Sequence, residues 1–376
     1  MARNCVASIN LNAITSNYLY AKSLAPESRA IAVIKGNAYG HGAVKVASHL
    51  EPLADCFGVA CIEEALELRS AGISRTPILL LEGVFEESEL ALVDQHELWM
   101  VVSNNLQIEW IQESSPINKY NIFVKIDTGM GRLGFKEDEF PKIINGLENC
   151  DHINKITLMT HFSSADNHDS GFTEVQIDKF NNIVGNKQND QSLANSAAIT
   201  AWNNSHSAYT RPGIMLYGSS PFPFNEPLNE LTPAMTLETS LISLKKFKAG
   251  DKIGYGGRYV CKQDTLIGVA AIGYADGYPR SAKDGTPVFI NGGIARLAGR
   301  VSMDMITVDL AGIKNPKIGD RLELFGSNVS IDEIANYCDT ISYEIFTQIT
   351  SRVYNCLLYT SPSPRDQRGS RMPSSA

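Results

Sequence analysis

The stretch VIKGNAYGHG, residues 33–42, ends a β-branched apolar run on a lysine and continues into a turn rich in Gly and Asn. A lysine at a strand end most often lays its alkyl chain over apolar surface and keeps its ammonium group in water. If other cations crowd Lys35 and it is partly desolvated, more of its amine is neutral, and a neutral amine can form an imine with an aldehyde. The rest of the sequence must decide between these interpretations.

Other reactive or hydrogen-bonding residues stand where later apolar runs end. They are Lys125, Asp127 and Arg132 in KIDTGMGRLG, His161 in LMTHFSSADNHD, Asn195 and Ser196 in LANSAA, and Arg211 and Gly213 in RPGI. Loops after the last strands of a barrel commonly bind phosphate, although NSAA and RPGI are weak signals alone. His161 and His168 match no compact metal-ligand spacing, so we expect no metal. An imine-forming lysine beside a phosphate site suits pyridoxal 5'-phosphate (PLP).

Short apolar runs alternate with amphipathic segments up to residue 231. The pattern predicts strands at 30–35, 57–60, 77–81, 98–102, 121–127, 155–161, 191–195 and near 208–211, and helices at 12–24, 42–50, 61–72 and 173–185. Apolar strands alternating with helices are typical of parallel strands covered by helices. We therefore predict an α/β fold with an N-terminal TIM-like (β/α)8 barrel over residues 1–231, whose strand ends would gather the residues above into one site.

The remainder of the chain has a different pattern. From residue 232 short strands alternate with turn sequences such as KAGD, KDG and NGG, which predicts a mainly antiparallel β domain over residues 232–355. Residues 356–376 are rich in Ser, Pro and Arg and have no apolar periodicity. We predict that this last segment is disordered and non-native, since it looks like translated cloning sequence.

Composition restricts the class of protein. With 376 residues, 43% of them hydrophobic and 20% charged, the chain is typical of a soluble enzyme. A net charge of −8 argues against a nucleic-acid partner, and no apolar run is long enough to predict a membrane span. The seven scattered cysteines favour reduced thiols. Together with an N-terminus unlike a signal peptide, they predict a cytoplasmic protein.

Several blocks of the sequence resemble alanine racemases. VIKGNAYGHG resembles their PLP-attachment signature, with Gly36 where Ala is usual. KIDTGMGRLGF, THFSSAD, ANSAA, RPGIMLYG, IGYGGRY, IGYADGY, GRVSMDM and SYEIFTQITSRV resemble further family blocks, in family order, so that the resemblance covers residues 1–354. A second departure is Gly-Tyr-Gly-Gly at 254–257, where Ser-Tyr-Gly is common. Both departures lie beside predicted catalytic residues, so rate or substrate breadth is expected to differ.

The resemblance implies a role for each matching residue. Lys35 would hold PLP as an imine and act as one acid/base, and Tyr255 from the other subunit of a homodimer would act as the second. The implied PLP contacts are Tyr39, Ser196, Gly213, Ile214 and Tyr343 at the phosphate, Asn195 beside them, Arg132 at the phenolic oxygen, His161 beside the ring and Arg211 at the pyridine nitrogen. Tyr274, Met303 and Asp304, with Arg132, match substrate-pocket or entry positions, and Lys125 matches a lysine that is carbamylated in many members.

Such residues suit the racemisation of alanine, which would supply D-alanine for peptidoglycan. The Cα proton must leave one face and return to the other, and two bases on opposite faces, Lys35 and Tyr255, do this most simply. Arg211 would donate a hydrogen bond to the pyridine nitrogen without readily giving up its proton. The ring would then withdraw electrons less strongly, which limits transamination.

Other functions are weighed against this one. A racemase of broader specificity, acting on serine or lysine, is the nearest alternative. A single-barrel PLP carrier without turnover is disfavoured by the β domain, and a PLP decarboxylase of basic amino acids is disfavoured because it would need an acidic residue where Arg211 stands. Without the resemblance, Tyr255 is most simply a packed sheet tyrosine. Lys125 is then a buried lysine that forms a salt bridge with Asp127 or with a carboxylate near an arginine.

Overall fold

The computed structural model describes residues 3–358. The chain divides into two compact units. Asn17–Leu231 is called the barrel unit below, and the residues before Asn17 together with those from Thr232 onward are called the β unit. The first strand, β1 (Val6–Asn10), belongs to the β unit.

The barrel unit is a closed barrel of parallel strands, which confirms the predicted (β/α)8 architecture. Its strands are β2 (Arg29–Val33), β3 (Cys56–Val59), β4 (Ile78–Leu80), β5 (Trp99–Val102), β6 (Tyr120–Lys125), β7 (Ile153–Met159), β8 (Asp190–Asn195) and β9 (Tyr209–Arg211). The barrel closes where β2 pairs with β9, with Arg29 opposite Tyr209. Each strand lies at or within a few residues of a predicted apolar run.

Helices follow most of the barrel strands. They are Ala43–Leu50, Ile62–Ser70, Glu89–Gln95, Asn105–Glu113, Phe140–Glu148, Phe172–Val184 and Ser196–Ala201, with short 3-10 helices at His168–Ser170, Asn203–Ser205 and Ile214–Tyr217. The helix Leu11–Leu24 follows β1 and precedes the first barrel strand. In Phe140–Glu148 the buried residues Phe140, Ile143, Ile144 and Leu147 form one stripe, as expected of a helix that packs one face on a barrel. None of the helices within residues 3–358 is long and apolar enough to cross a membrane.

The interior of the barrel is a packed core. Its buried side chains come from successive strands and are Ile31, Cys56, Leu79, Val101, Phe123, Met159 and Tyr209. Because the helices cover the outer faces, these strands are apolar on both sides. The core therefore supports a rigid ring of strand ends, and the residues that follow those ends inherit fixed positions.

The β unit is a mainly antiparallel sheet. Its further strands are β10 (Met235–Phe247), β11 (Lys252–Ile253), β12 (Tyr259–Val260), β13 (Thr265–Ala270), β14 (Pro287–Ile290), β15 (Gly293–Leu297), β16 (Ile306–Asp309), β17 (Arg321–Phe325) and β18 (Tyr354–Leu358). The main sheet has the order β13-β16-β15-β14-β17-β10-β1-β18, and β11 pairs with β12 separately. Helices Ile331–Tyr337 and Ser342–Gln348 and the 3-10 helices Tyr255–Gly257 and Tyr274–Asp276 complete the unit.

Two predicted boundaries are wrong. The barrel does not include the start of the chain, because β1 pairs antiparallel with β10, with Val6 opposite Glu238, and so joins the β unit. The predicted disorder from residue 356 is also wrong for its first residues, since β18 continues to Leu358 and pairs parallel with β1. Residues 359–376, the rest of that predicted segment, lie outside the described residues.

Candidate active site

Lys35 follows β2 and begins a left-handed turn, residues 35–39, called the lysine turn below. Gly36, Asn37, Ala38 and Tyr39 have φ angles of 61°, 55°, 53° and 51°. The left-handed conformation costs a residue with a Cβ atom about 1–2 kcal/mol. A run of such residues persists only where surrounding contacts hold it.

Glu64 provides one of those contacts. One oxygen of its carboxylate accepts the backbone N–H of Gly36 at 2.7 Å, and the other accepts that of Ala60 at 2.8 Å. Asn37 ties the turn to the following helix, because its Oδ1 accepts the N–H of Ala43 at 2.8 Å. The lysine turn is thus anchored to the residues that follow β3 and to its own continuation.

His41 supports the same turn from the protein interior. Its Nδ1 lies 3.1 Å from the carbonyl oxygen of Ala38 and 3.0 Å from that of Tyr39. The imidazole stacks on the Tyr217 ring at 4.5 Å between centroids, and the Tyr217 hydroxyl donates to the carbonyl oxygen of Val33 at 2.9 Å. Burial lowers the pKa of His41 to about 4, so the ring is neutral and donates from Nδ1.

Tyr39, Ser196 and Gly213 meet at one point of the barrel unit. The backbone N–H of Gly213 donates to Ser196 Oγ at 2.8 Å. A Cβ atom added to Gly213 would lie 3.0 Å from Tyr39 Oη and 3.8 Å from Ser196 Oγ. Burial raises the pKa of Tyr39 to about 12, so its hydroxyl stays protonated and can donate to an anion. The cluster therefore offers hydroxyl groups around a space that glycine leaves open.

Asn195 and Ile214 flank this cluster. Asn195 caps the helix Ser196–Ala201, because its Oδ1 accepts the N–H of Ala198 at 3.0 Å. Ile214 is fully buried and begins the 3-10 helix Ile214–Tyr217. Both residues fix the backbone around Ser196 and Gly213, and their contact with a cofactor stays a prediction.

Arg211 ends β9 and is buried among backbone carbonyl groups. Its Nη1 donates to Ser192 O at 2.8 Å and to Ser192 Oγ at 2.7 Å. Its Nη2 donates to Thr160 O at 2.7 Å and to Leu193 O at 3.0 Å, and lies 3.4 Å from His161 Nδ1. Among the described residues these contacts come from the two terminal nitrogens, which leaves Nε for a ligand. Burial lowers the pKa of Arg211 to about 9, so the guanidinium remains charged at neutral pH.

His161 and Lys125 lie in the field of the same cations. Burial, and then the charges of Arg211, Lys125, Arg132 and Lys35, hold the pKa of His161 well below its usual value, so the ring is neutral. Burial, and then Arg211, Arg132 and Lys35, lower the pKa of Lys125 to about 8, although Glu82 opposes them. The structure therefore brings together Lys35, Lys125, Arg132 and Arg211, called the cationic cluster below.

Asp127 does not neutralise this cluster through an ion pair with Lys125, which was the plainer interpretation of that lysine. Its Oδ1 instead accepts the N–H groups of Gly129 and Gly131, each at 3.0 Å, and so shapes the loop that carries Arg132. A cationic cluster and the hydroxyl groups of Tyr39 and Ser196 can together bind a ligand with an anionic group. An amine at the end of β2 can react with that ligand if it also carries an aldehyde.

Tyr255 lies in the β unit, on residues 254–257, called the tyrosine turn below. Gly254 has φ 71° and ψ −170°, a combination that essentially only glycine adopts. Gly256 and Gly257 also have positive φ, 70° and 57°. The Tyr255 side chain is 70% exposed, so the predicted alternative of a packed sheet tyrosine does not describe it.

Tyr274, Met303 and Asp304 also lie in the β unit, and the structure brings them together. The N–H of Tyr274 donates to Ser302 O at 3.0 Å, and an added Cβ on the preceding Gly273 would collide with the backbone of Ser302 and Met303. Tyr343, the remaining predicted phosphate ligand, is in the helix Ser342–Gln348 of this unit.

Asp276 organises these turns, and the sequence did not single it out. It is fully buried, accepts the N–H of Gly273 at 2.9 Å, and pairs with Arg3 and Arg352. Arg352 also pairs with Asp304 at 2.6 Å. Glu64 and His41 were missed as well. The third position of a helix is a weak signal for Glu64, and only the fold shows which backbone each of these side chains reaches.

A closed parallel barrel with these groups at the carboxyl ends of its strands defines a class of (β/α)8 proteins with a site at that end. Sequence comparison is more specific. The family description "Alanine racemase, N-terminal domain" matches residues 9–221, and "Alanine racemase, C-terminal domain" matches residues 234–357. This chain belongs to the alanine racemase family.

Individual relatives resemble the chain over nearly its whole length. The alanine racemase of Pseudomonas syringae pv. syringae is 46% identical over 352 residues, which cover 93% of this chain and 98% of the relative. The crystal structure of biosynthetic alanine racemase from Pseudomonas aeruginosa has a TM-score of 0.92 and 42% identity, covering 95% of this chain and 100% of that one. That of alanine racemase from Bartonella henselae with covalently bound pyridoxal phosphate has a TM-score of 0.86 and 27% identity, covering 94% and 99%.

Proposed function

We propose that this chain interconverts L- and D-alanine, using PLP at the carboxyl end of the barrel unit. The observation that carries the proposal, beside family membership, is Arg211. It is buried and fixed by carbonyl oxygens at the position expected to face the pyridine nitrogen. A decarboxylase of basic amino acids would need an acidic residue there, and a single-barrel PLP carrier would lack the β unit.

The residues of the barrel unit fit PLP. Gly213 has no side chain to fill the space beside Tyr39 Oη and Ser196 Oγ, which suits a phosphate group. Lys35 supplies an amine, Arg211 keeps Nε for the ring nitrogen, and neutral His161 lies beside Arg211. When bound, PLP would supply a conjugated ring that takes up electrons from the Cα–H bond.

Lys35 and Tyr255 would then exchange the Cα proton on opposite faces. In one direction Lys35 Nζ accepts the proton and Tyr255 Oη donates another to the opposite face, and in the other direction the roles reverse. Each turnover thus removes one proton and returns one. Arg211 would donate a hydrogen bond to the ring nitrogen and retain its own proton, because its pKa of about 9 lies above neutral pH.

Tyr255 would act from the partner subunit of a homodimer. Tyr255, Met303 and Tyr274 are 70%, 52% and 38% exposed on the β unit. Large side chains that remain accessible on one unit are typical of a surface that another chain covers. Tyr274, Met303 and Asp304 would line the substrate entry of the shared site, and Tyr343 would reach the phosphate.

Lys125 would be carbamylated in the working enzyme. A lysine with a pKa of about 8 is partly neutral at neutral pH, and the neutral amine can attack carbon dioxide with release of one proton. The resulting carbamate anion would pair with Arg132 and orient it toward the phenolic oxygen of PLP. It would also offset the positive charge of the cationic cluster.

We further infer that the D-alanine serves peptidoglycan synthesis in a bacterial cytoplasm. The relatives that match over almost their whole length are bacterial alanine racemases. All seven cysteines are free, which suits a reducing compartment.

The cofactor claim is tested by absorption spectroscopy of the purified protein. A visible PLP band is expected, and Lys35→Ala should abolish it. The unrelated surface variant Lys248→Ala serves as the control and should keep it. A colourless wild type after addition of PLP would contradict the proposal.

Activity is tested by Cα-deuterium exchange over a panel of L- and D-amino acids. Exchange of alanine should exceed that of serine and lysine. Comparable exchange of all three would instead identify a broader-specificity racemase.

A further inference from the structure

Glu64 makes two contacts that join the ends of neighbouring barrel strands. It is the third residue of the helix Ile62–Ser70, a position where an acidic side chain commonly caps the first turn. Its bond to the Ala60 N–H, 2.8 Å, ties the start of the helix to the residue before its N-cap, Cys61. Its bond to the Gly36 N–H, 2.7 Å, does not serve the helix, because Gly36 follows a different strand.

The bond from the Gly36 N–H to Glu64 lies at the start of the lysine turn, where the strained backbone requires an anchor. Gly36 is the first residue of the lysine turn with positive φ, and Lys35 and Tyr39 stand at the two ends of that turn. Tyr39 Oη in turn lies beside Gly213 and Ser196. Any rotation of the Gly36 peptide would therefore move the amine and the hydroxyl relative to one another. A carboxylate-to-amide hydrogen bond is of the stronger, charge-assisted kind.

We propose that Glu64 is a positioning residue, which fixes the lysine turn so that the Lys35 amine and the Tyr39 hydroxyl meet the same PLP molecule. The inference rests on the proposed function. Glu64 acts through the Gly36 backbone and does not touch the ligand.

The barrel unit offers a matched control in Glu51. Its Oε1 also accepts two backbone N–H groups, those of Ser74 and Arg75, each at 3.2 Å. These residues precede β4, at the amino end of the barrel strands. Glu51→Ala thus removes a carboxylate and two backbone hydrogen bonds, as Glu64→Ala does, but at the end of the barrel away from Lys35.

The experiment compares Glu64→Ala, Glu64→Gln and Glu51→Ala with the wild type. Hydrogen exchange of residues 36–39 is measured by mass spectrometry, and the PLP dissociation constant by visible absorption. In Glu64→Ala we expect faster exchange and an approximately tenfold weaker PLP affinity, the ratio for one lost charged hydrogen bond. Glu64→Gln keeps one acceptor oxygen and should be intermediate. Glu51→Ala should match the wild type in both measurements.

The outcomes separate this inference from the proposed function. Equal exchange and equal PLP affinity in Glu64→Ala and Glu51→Ala would overturn the positioning role. Should the wild type bind no PLP, the proposed function fails, while exchange still decides whether Glu64 anchors the turn. Should Glu64→Ala not fold, Glu64→Gln supplies the same comparison.

Discussion

The lysine turn and the tyrosine turn carry the two predicted proton-transfer groups, and they are built in different ways. The lysine turn is held within its own unit by Glu64, Asn37 and His41. The tyrosine turn takes its shape from glycines with positive φ, and its Tyr255 side chain is 70% exposed. Hydrogen bonds from Glu64, Asn37 and His41 hold the lysine turn. The tyrosine turn instead depends on positive φ angles that glycine adopts easily.

This difference teaches which parts of the site are preorganised. Most groups that would hold the cofactor lie in the barrel unit, where Ser196 and Arg211 are buried and hydrogen-bonded to that unit. The group that would act on the substrate's opposite face is exposed and gains its surroundings only when another surface covers it. Substitutions in the barrel unit should therefore affect both stability and activity, and those on the tyrosine turn mainly activity.

The largest effect is expected for Tyr255→Phe. Loss of one positioned acid/base should slow racemisation by about 10²–10⁴-fold. Deuterium exchange should be affected unequally for L- and D-alanine, because the tyrosine serves one face only. Since the ring is exposed, the free energy of unfolding should change by less than about 0.5 kcal/mol.

Chiral chromatography measures racemisation, mass spectrometry measures Cα-deuterium exchange, and urea unfolding measures the free energy of unfolding. The control variant is Tyr354→Phe, at another exposed tyrosine of the β unit. It should lose neither activity nor stability. Equal slowing of Cα-deuterium exchange from L- and D-alanine by Tyr255→Phe would count against a two-base mechanism.

Arg211→Lys, in the barrel unit, should lower stability, whereas Tyr255→Phe should lower activity alone. A single ammonium nitrogen cannot reach Thr160 O, Ser192 O and Leu193 O together. At least one buried carbonyl acceptor stays unpaired, so the free energy of unfolding should fall by about 1–3 kcal/mol. Urea unfolding of the PLP-free protein measures the loss in the free energy of unfolding. The matched control is Lys248→Arg, at an exposed lysine that pairs with Asp264. An unchanged unfolding curve would show that the hydrogen bonds from Arg211 to these three carbonyl oxygens do not stabilise the barrel.

Much of the fold could be predicted from local pattern. Most barrel strands are short apolar runs, although β8 (DQSLAN) and β9 (YTR) are largely polar. The helix Phe172–Val184 has the period that predicts it. The start of the chain was assigned wrongly because β1 followed by a helix reads locally like any strand–helix unit. Its pairing with β10 spans more than two hundred residues, and no local pattern encodes that choice.

The site was predictable only in part, and for a similar reason. Strand-end residues such as Lys35, Lys125 and Arg211 could be located from the barrel rule. The residues that hold them in place could not be predicted. Glu64 and His41 form hydrogen bonds with backbone groups that come close only in the folded chain. Tyr255 needed the family resemblance, since a tyrosine between glycines has no distinguishing pattern.

Acidification should also act on the barrel unit. All seven histidines lie between residues 17 and 231, and His41 has a pKa of about 4 in the folded chain, below its usual 6.5. Above pH 6.5 the ring is neutral in both states. As the pH falls toward 4, only the unfolded chain takes up the proton, so stability is lost, by roughly 1 kcal/mol at pH 5.5.

Urea unfolding at pH 7.5 and 5.5 measures how the free energy of unfolding changes with pH, called the slope below. His41→Gln can still donate to the Ala38 and Tyr39 carbonyls but does not titrate, so its slope should be smaller than that of the wild type. A slope unchanged in His41→Gln would assign the acid sensitivity elsewhere.

The smallest effect is expected for Gly36→Ala, which restores the residue usual in the family. At φ 61° and ψ 44° a Cβ atom adds about 1–2 kcal/mol of strain, while the less flexible unfolded chain returns about 0.4–1 kcal/mol. The net loss in the free energy of unfolding should therefore stay below about 1.6 kcal/mol, and PLP binding should be unchanged. The neighbouring residues Asn37 and Ala38 already accept this conformation under the same anchors. A loss above about 2 kcal/mol would mean that the lysine turn, like the tyrosine turn, depends on glycine more than on its hydrogen bonds.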